Sequence, residues 1–204
     1  MKDIDIITTR LSNLEENILS QEAILKLIRD VTHNNEVQVL KNLRQNGKIK
    51  TIFLKYYYVV SENERKNNSL KYYSFELVFG VLNKLNIKWY ISFAKGLELK
   101  NILWQSHKKF SIINNKISRK CIIHNTEFEF KKTNAKYINN FSQNKTKNRI
   151  TQNIGTTEKI FVDYVYFNKK VPKELQNGIN ATKVKEIIQN YSKNFQKKVK
   201  DMIR

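Results

Sequence analysis

Residues 36–60 read EVQVLKNLRQNGKIKTIFLKYYYVV, and the order of signals in them is helix, stop, hairpin. Val37, Leu40 and Leu43 or Arg44 recur at steps of three and four, which predicts a helix to about Asn46 with that side turned inward. Gly47 fits the left-handed position that ends a helix. Beyond it, Lys48 to Val60 (KIKTIFLKYYYVV) is rich in β-branched and aromatic residues and reads as two short strands around a tight turn.

Upstream, Leu11, Leu14 and Ile18 at i, i+3 and i+7 predict a first helix. Ser20 is a good N-cap for a second, whose Ile24, Leu25, Leu27 and Ile28 face inward. The polar run Asp30 to Asn35, with Thr32, Asn34 and Asn35 as possible caps, separates it from the helix of the opening stretch. Three helices and a hairpin in about 60 residues follow the winged helix-turn-helix plan. Residues 1–60 are therefore expected to bind double-stranded operator DNA.

The third helix supplies the readers. Gln38, Lys41, Asn42 and Gln45 share an outward stripe, with Arg44 beside them. Gln and Asn amides bond bidentately to adenine N6 and N7, while Lys41 reaches guanine or a phosphate. On the hairpin, Lys48, Lys50 and Lys55 are placed to meet phosphates or a minor groove. A merely solvated helix face carries the same pattern, but the order of helix, glycine stop and basic hairpin favours DNA.

The charge agrees. Among 204 residues, 38 Lys and Arg against 18 Asp and Glu give +20, an excess that suits a polyanion or an acidic protein, although AT-rich coding drift produces the same number. Residues 1–60 carry only +2 of it, nine cations against seven acids, yet every acid there lies at or before Glu36 and none follows until Glu62. With 40% hydrophobic residues the chain has material for a core. No apolar run reaches the roughly 18 to 20 residues that span a bilayer, and the N-terminus lacks a signal-peptide pattern, so a cytoplasmic location is expected. One cysteine, Cys121, and histidines only at 33, 107 and 124 give no zinc-ligand spacing. Neither a metal nor a cofactor is expected, and the oligomeric state is open.

The polar stretch Ser61 to Lys71 reads as a linker, and residues 72–204 as a mixed α/β domain, making the whole chain α/β (α+β). Ser74 to Asn86 is apolar nearly all round, a buried helix. Trp89-Tyr90-Ile91 predicts a short strand, and Ser92 the cap of a helix to about Asn101. Residues 108–131 suit two or three antiparallel strands, and 133–157 an irregular loop with room for one strand. Glu158 to Phe167 is helix or strand, and Pro172 breaks it. A closing helix from Thr182 carries Val184, Ile188, Tyr191, Phe195, Val199 and Met202 as one stripe, backed by lysines. Of these, Lys193, Lys197 and Lys200 are candidates to meet an acidic partner or nucleic acid.

For catalysis the inventory is thin. Glu129-Phe130-Lys131 is half of a nuclease metal motif, with Glu127 on the same strand and only Glu98 upstream, because no Asp occurs between Asp30 and Asp163. An alternating polar strand face explains these residues more simply. The five glycines stand singly, so no phosphate-cradling loop is present. Cys121, His107 and His124 are isolated, Cys121 in an apolar strand. No catalytic residue is assigned.

The sequence of motifs resembles the AbiEi family of antitoxins and transcriptional regulators from type IV toxin-antitoxin systems. The residues that carry the resemblance are LKNLRQNGKIKTIFLKYYYVV (40–60), WYISFAKGLELKNIL (89–103) and GTTEKIFVDYVYF (155–167). In the second block these are Tyr90, Ile91, Ser92, Gly96, Leu97 and Glu98, with Gly96 where the family often has Ala; in the third, Thr157, Glu158 and Asp163. The resemblance implies a winged helix joined to an α/β domain that neutralises a nucleotidyltransferase toxin, with repression of the protein's own promoter. It gives Glu158 and Asp163 a part in fixing helix geometry. A stand-alone winged-helix transcription factor, or a metal-dependent nuclease using Glu98, Glu127, Glu129 and Lys131, are the alternatives.

Overall fold

Local capping and hairpin signals build the first part of the chain. The computed structural model describes residues 2–203 and divides into two units, Met1–Val81 and Leu82–Arg204. In the first, α1 (Lys2–Ser12) buries Ile7 and Leu11, one turn apart. Strand β1 (Ile18–Ser20) runs straight into α2 (Gln21–Arg29), because the Ser20 hydroxyl accepts the Ala23 N–H at 3.1 Å. Asn35 caps α3 (Glu36–Gln45) by accepting the N–H groups of Val37 and Gln38. At its far end Gly47 sits at φ +63°, with the Lys48 N–H donating to the Leu43 carbonyl, so the chain reverses where a side chain would be strained. Strands β2 (Ile49–Thr51) and β3 (Tyr56–Val59) follow, and the sheet order is β1-β3-β2, all antiparallel.

Three expectations for this unit change. Leu14 and Ile18 do not continue α1; Leu14 is exposed and Ile18 pairs with Tyr58 as part of a strand, a partner 40 residues away that no local period reveals. On α3, Val39 rather than Val37 joins Leu40 and Leu43 in the core, while Val37 and Arg44 are exposed. Residues 61–71 contain α4 (Glu62–Lys66), opened by a capping box between Ser61 and Glu64. Glu64 also accepts the Tyr58 hydroxyl at 2.6 Å and the Lys71 N–H at 2.6 Å, so this stretch is pinned to β3. The division between units falls within the buried helix α5 (Ser74–Lys84), not in the expected linker.

The second unit is a mixed sheet with helices packed on it. Its strands are β4 (Trp89–Ser92), β5 (Lys109–Asn114), β6 (Arg119–Ile123), β7 (Thr126–Lys132), β8 (Phe141–Lys145) and β9 (Thr151–Gly155), in the order β6-β7-β5-β4-β9-β8. Central β4 is buried at all four positions, its largely apolar sequence ending in the buried Ser92. A short α6 (Phe93–Glu98) follows it, and α7 (Thr157–Tyr166) is buried from Lys159 to Val165 beneath α8 (Lys173–Gln176), α9 (Ala181–Ile188) and α10 (Lys193–Met202).

Here too the tertiary pairing overrides local reading. The strands of 108–131 are not all antiparallel: β5 pairs parallel with β7, and β6 lies outside β7. Residues 133–157 hold the β8–β9 hairpin, whose polar side chains conceal its alternation because one of its strands is a sheet edge. The closing stripe belongs to two helices. Between them Ser192 accepts the Phe195 N–H, and the Gln196 amide donates to the freed carbonyls of Gln189 and Tyr191 at 3.2 and 2.9 Å. Among the described residues no helix is long and apolar enough to cross a membrane.

Candidate nucleic-acid interface

Turning Val39, Leu40 and Leu43 into the core leaves the opposite side of α3 open. Gln38, Lys41, Arg44 and Gln45 are exposed, Asn42 is half-buried, and Val37 is 71% exposed. Ten residues at about 1.5 Å rise make a rod some 15 Å long, and the diameter of a helix with its side chains, about 10–12 Å, is what a major groove about 12 Å wide admits. The Gln38 amide donates to Asn42 Oδ1 at 3.1 Å, so the two side chains hold each other in place. The one acid of the helix, Glu36, is drawn to Arg29 of α2 at 2.9 Å, which removes a repulsive charge from the open face.

Further cations follow on the hairpin. Lys50 on β2 and Lys55 in the turn are exposed, and Lys48, just before β2, is half-buried. Leu54 and Lys55 adopt φ +50° and +60°, and the Tyr56 N–H closes the turn on the Phe53 carbonyl at 2.9 Å. Positive φ at both central residues is the twist-matched hairpin turn, usually built from Asn and Gly, and here it presents an apolar and a cationic side chain. All eight sequence-identified positions thus lie on α3 or on the hairpin that follows it. Val37 was assigned inward from its i, i+3 step to Leu40; Val39 has an equally regular i, i+4 step to Leu43, and it is Val39 that the core takes.

In the second unit, Lys193, Lys197 and Lys200 are exposed at i, i+4 and i+7 of α10 while Val199 is buried, so the lysine row and the apolar stripe do occupy opposite faces. The alternative nuclease residues are engaged elsewhere. Glu129 is buried between Lys131 and Lys109, each at 3.0 Å, with Lys169 at 3.7 Å. Burial by itself raises its carboxyl, but hydrogen bonds from Lys131 and Lys109 outweigh that and hold it down at about 2. Glu127 pairs with Lys109 at 3.4 Å, whereas Glu98 accepts Lys95 and the His107 N–H, both at 2.7 Å. Among the described residues no group of three or more His, Cys, Asp or Glu is arranged to hold a metal ion. Cys121 is half-buried, and burial pushes its thiol up.

Asp163 is the centre of a buried polar network in the second unit. It lies 1% exposed on α7 and accepts the Tyr90 hydroxyl at 2.8 Å, the Ser92 hydroxyl at 2.7 Å and the Lys159 ammonium at 2.5 Å. Lys159 also donates to the Tyr191 hydroxyl at 3.2 Å. Burial first, and then the Asp163 charge, push the Tyr90 and Tyr191 hydroxyls well above their usual range, keeping both protonated. This network locks α7 to β4, and it explains why Ser92, expected as a helix cap, makes no capping bond. Sequence spacing contained one trace of it: Lys159 and Asp163 are i, i+4 on an otherwise apolar helix.

No family model and no curated protein matches the sequence. Among solved structures the chain is similar to the RV2827C protein of Mycobacterium tuberculosis, with a TM-score of 0.63 over 99% of this chain and 77% of that one. At 8% identity the likeness is one of fold.

Proposed function

We propose that the chain is a DNA-binding regulator of the cytoplasm, in which a winged helix-turn-helix within residues 1–60 reads operator DNA and the second unit binds a protein partner. The observation that carries the reading is the open face of α3, free of unpaired carboxylate and continuous in sequence with a basic hairpin. In the major groove the Gln38 and Asn42 amides address adenine, the Val37 methyls a thymine methyl, and Lys41 and Arg44 guanine or phosphate. Gln45 lies one turn further on, and Lys48, Lys50 and Lys55 take phosphates.

The resemblance to AbiEi antitoxins extends the reading. The partner is then a nucleotidyltransferase toxin, and an operator overlapping the protein's own promoter makes it an autorepressor. No catalytic step is assigned to the chain. Footprinting on the DNA upstream of its gene tests the regulator: a protected site is expected, and its absence refutes the reading. For the partner, a pull-down from the native host is expected to capture a nucleotidyltransferase. The triple change Lys193→Glu, Lys197→Glu and Lys200→Glu is expected to slow that association at low salt, since complementary charge speeds encounter. An unchanged rate, with the fold intact by circular dichroism, removes α10 from the interface.

A further inference from the structure

Between α6 and β5 the chain makes a loop whose base is fixed and whose tip is bare. At its start Asn101 takes φ +57°, and the N–H groups of Asn101 and Ile102 donate to the carbonyls of Glu98 and Leu97, each at 2.9 Å. Ile102 and Leu103 then pack against the apolar core of the second unit. At the other end the His107 N–H is held by Glu98 Oε2, whose second oxygen accepts Lys95. Halfway round stands Trp104, 100% exposed.

An indole left wholly in water contributes no burial energy to the fold, and tryptophan is otherwise among the residues most used for contact with partners. Its surroundings specify the partner's chemistry. From Leu99 to Thr126 there is no Asp or Glu, whereas Lys100, Lys108, Lys109, Lys116, Arg119 and Lys120 lie in that stretch. Lys108 is exposed and Lys100 half-buried, on either side of the tryptophan in sequence, while Lys109 is held by Glu127 and Glu129. An exposed aromatic plane bracketed in sequence by lysines, with the loop's own carboxylate, Glu98, already occupied by Lys95 and the His107 N–H, is the composition of a base-stacking platform.

We propose that Trp104 stacks on unpaired bases of a single-stranded nucleic acid whose backbone is drawn to Lys100 and Lys108. The site uses none of the α3 residues and does not depend on operator reading.

The test uses the full chain with oligo-dT and oligo-U of about twelve nucleotides, a length within the usual single-strand site range. Only two tryptophans are present and Trp89 is 1% exposed, so base quenching of the indole fluorescence reports on Trp104. Binding with quenching is expected for either strand, and the stronger of the two identifies DNA or RNA as the natural ligand. Read by the anisotropy of an end-labelled oligonucleotide, since these variants lack the reporting indole, Trp104→Ala is expected to weaken binding about 10-fold or more, and Trp104→Phe less, whereas heparin, an anion without bases, binds both variants like the parent. Full exposure makes the substitutions harmless to folding, which circular dichroism checks. Oligonucleotide binding unaffected by Trp104→Ala, or binding without quenching, overturns the proposal. So does an unaffected oligonucleotide affinity accompanied by loss of a co-purifying protein, which makes the loop a protein contact instead.

Discussion

Replacing Lys50 by Gln and Lys55 by Asn tests whether the hairpin lies on the DNA backbone. Asn is chosen at position 55 because that residue sits at φ +60°, which Asn tolerates better than most side chains. Both lysines are exposed, so the fold loses no packing. If Lys41, Arg44, Lys48, Lys50 and Lys55 each neutralise one phosphate, the log-log dependence of affinity on salt has a slope of about −4.5 from these residues, at about 0.9 per contact. Affinity then falls about 500-fold between about 50 and 200 mM salt, and only about 40-fold for the double variant, whose slope is near −2.7. Other cations of the chain add equally to both, so the difference of about 1.8 in slope isolates the hairpin. Any duplex serves, because the phosphate contribution is independent of sequence. Fluorescence anisotropy across a salt series gives both slopes. Parallel lines for parent and variant refute the placement of the hairpin on DNA.

The readers of α3 behave differently from the hairpin lysines. Gln38→Ala or Asn42→Ala is expected to relax base preference by about 1 to 3 kcal/mol per bidentate contact, and the two changes to be less than additive because each amide orients the other; selection from a randomised duplex pool measures this, and an unaltered consensus refutes it. In the second unit, Asp163→Asn leaves the Lys159 ammonium buried without its counter-charge and is expected to cost about 3 to 5 kcal/mol in urea unfolding. The double change Lys159→Met with Asp163→Asn, which removes the stranded ammonium and keeps an amide acceptor for the Tyr90 and Ser92 hydroxyls, is expected to recover part of that, and a parent-like midpoint for Asp163→Asn refutes the reasoning. Glu129 gives a pH dependence. Its carboxyl is held at about 2 against an ordinary 4.5, so the stability it adds is complete above pH 4.5 and is lost as pH falls from there toward 2. Glu129→Gln is expected to flatten the acid limb of the stability curve in that window, and superimposable slopes for the two proteins count against it.

Caps, a glycine stop and a hairpin are encoded within a few residues of where they act. For that reason Ser20, Gly47 and the strands flanking the 53–56 turn were legible in the sequence, with Asn35 as one of three candidate caps, as were the buried helix of residues 74–86 and the core strand at Trp89. The sorting of charge, acids up to Glu36 and cations after it, is likewise a property of the chain alone. Strand partnership is not. Ile18 becomes a strand only because Tyr58 arrives beside it, β5 and β7 become parallel only because the connection carries β6 to the outside, and polar β8 is defined by its pairing to β9. The choice of Val39 over Val37 and the break between α9 and α10 rest on which packing buries more apolar surface while satisfying the backbone. Asp163 gathers Tyr90 and Ser92 from 73 and 71 residues away, and Trp104 stands bare in a loop stapled at Glu98 while Ile102 and Leu103 before it turn inward. These are contacts between distant segments, and a distant contact leaves no period in the sequence; it exists only once the chain has closed on itself.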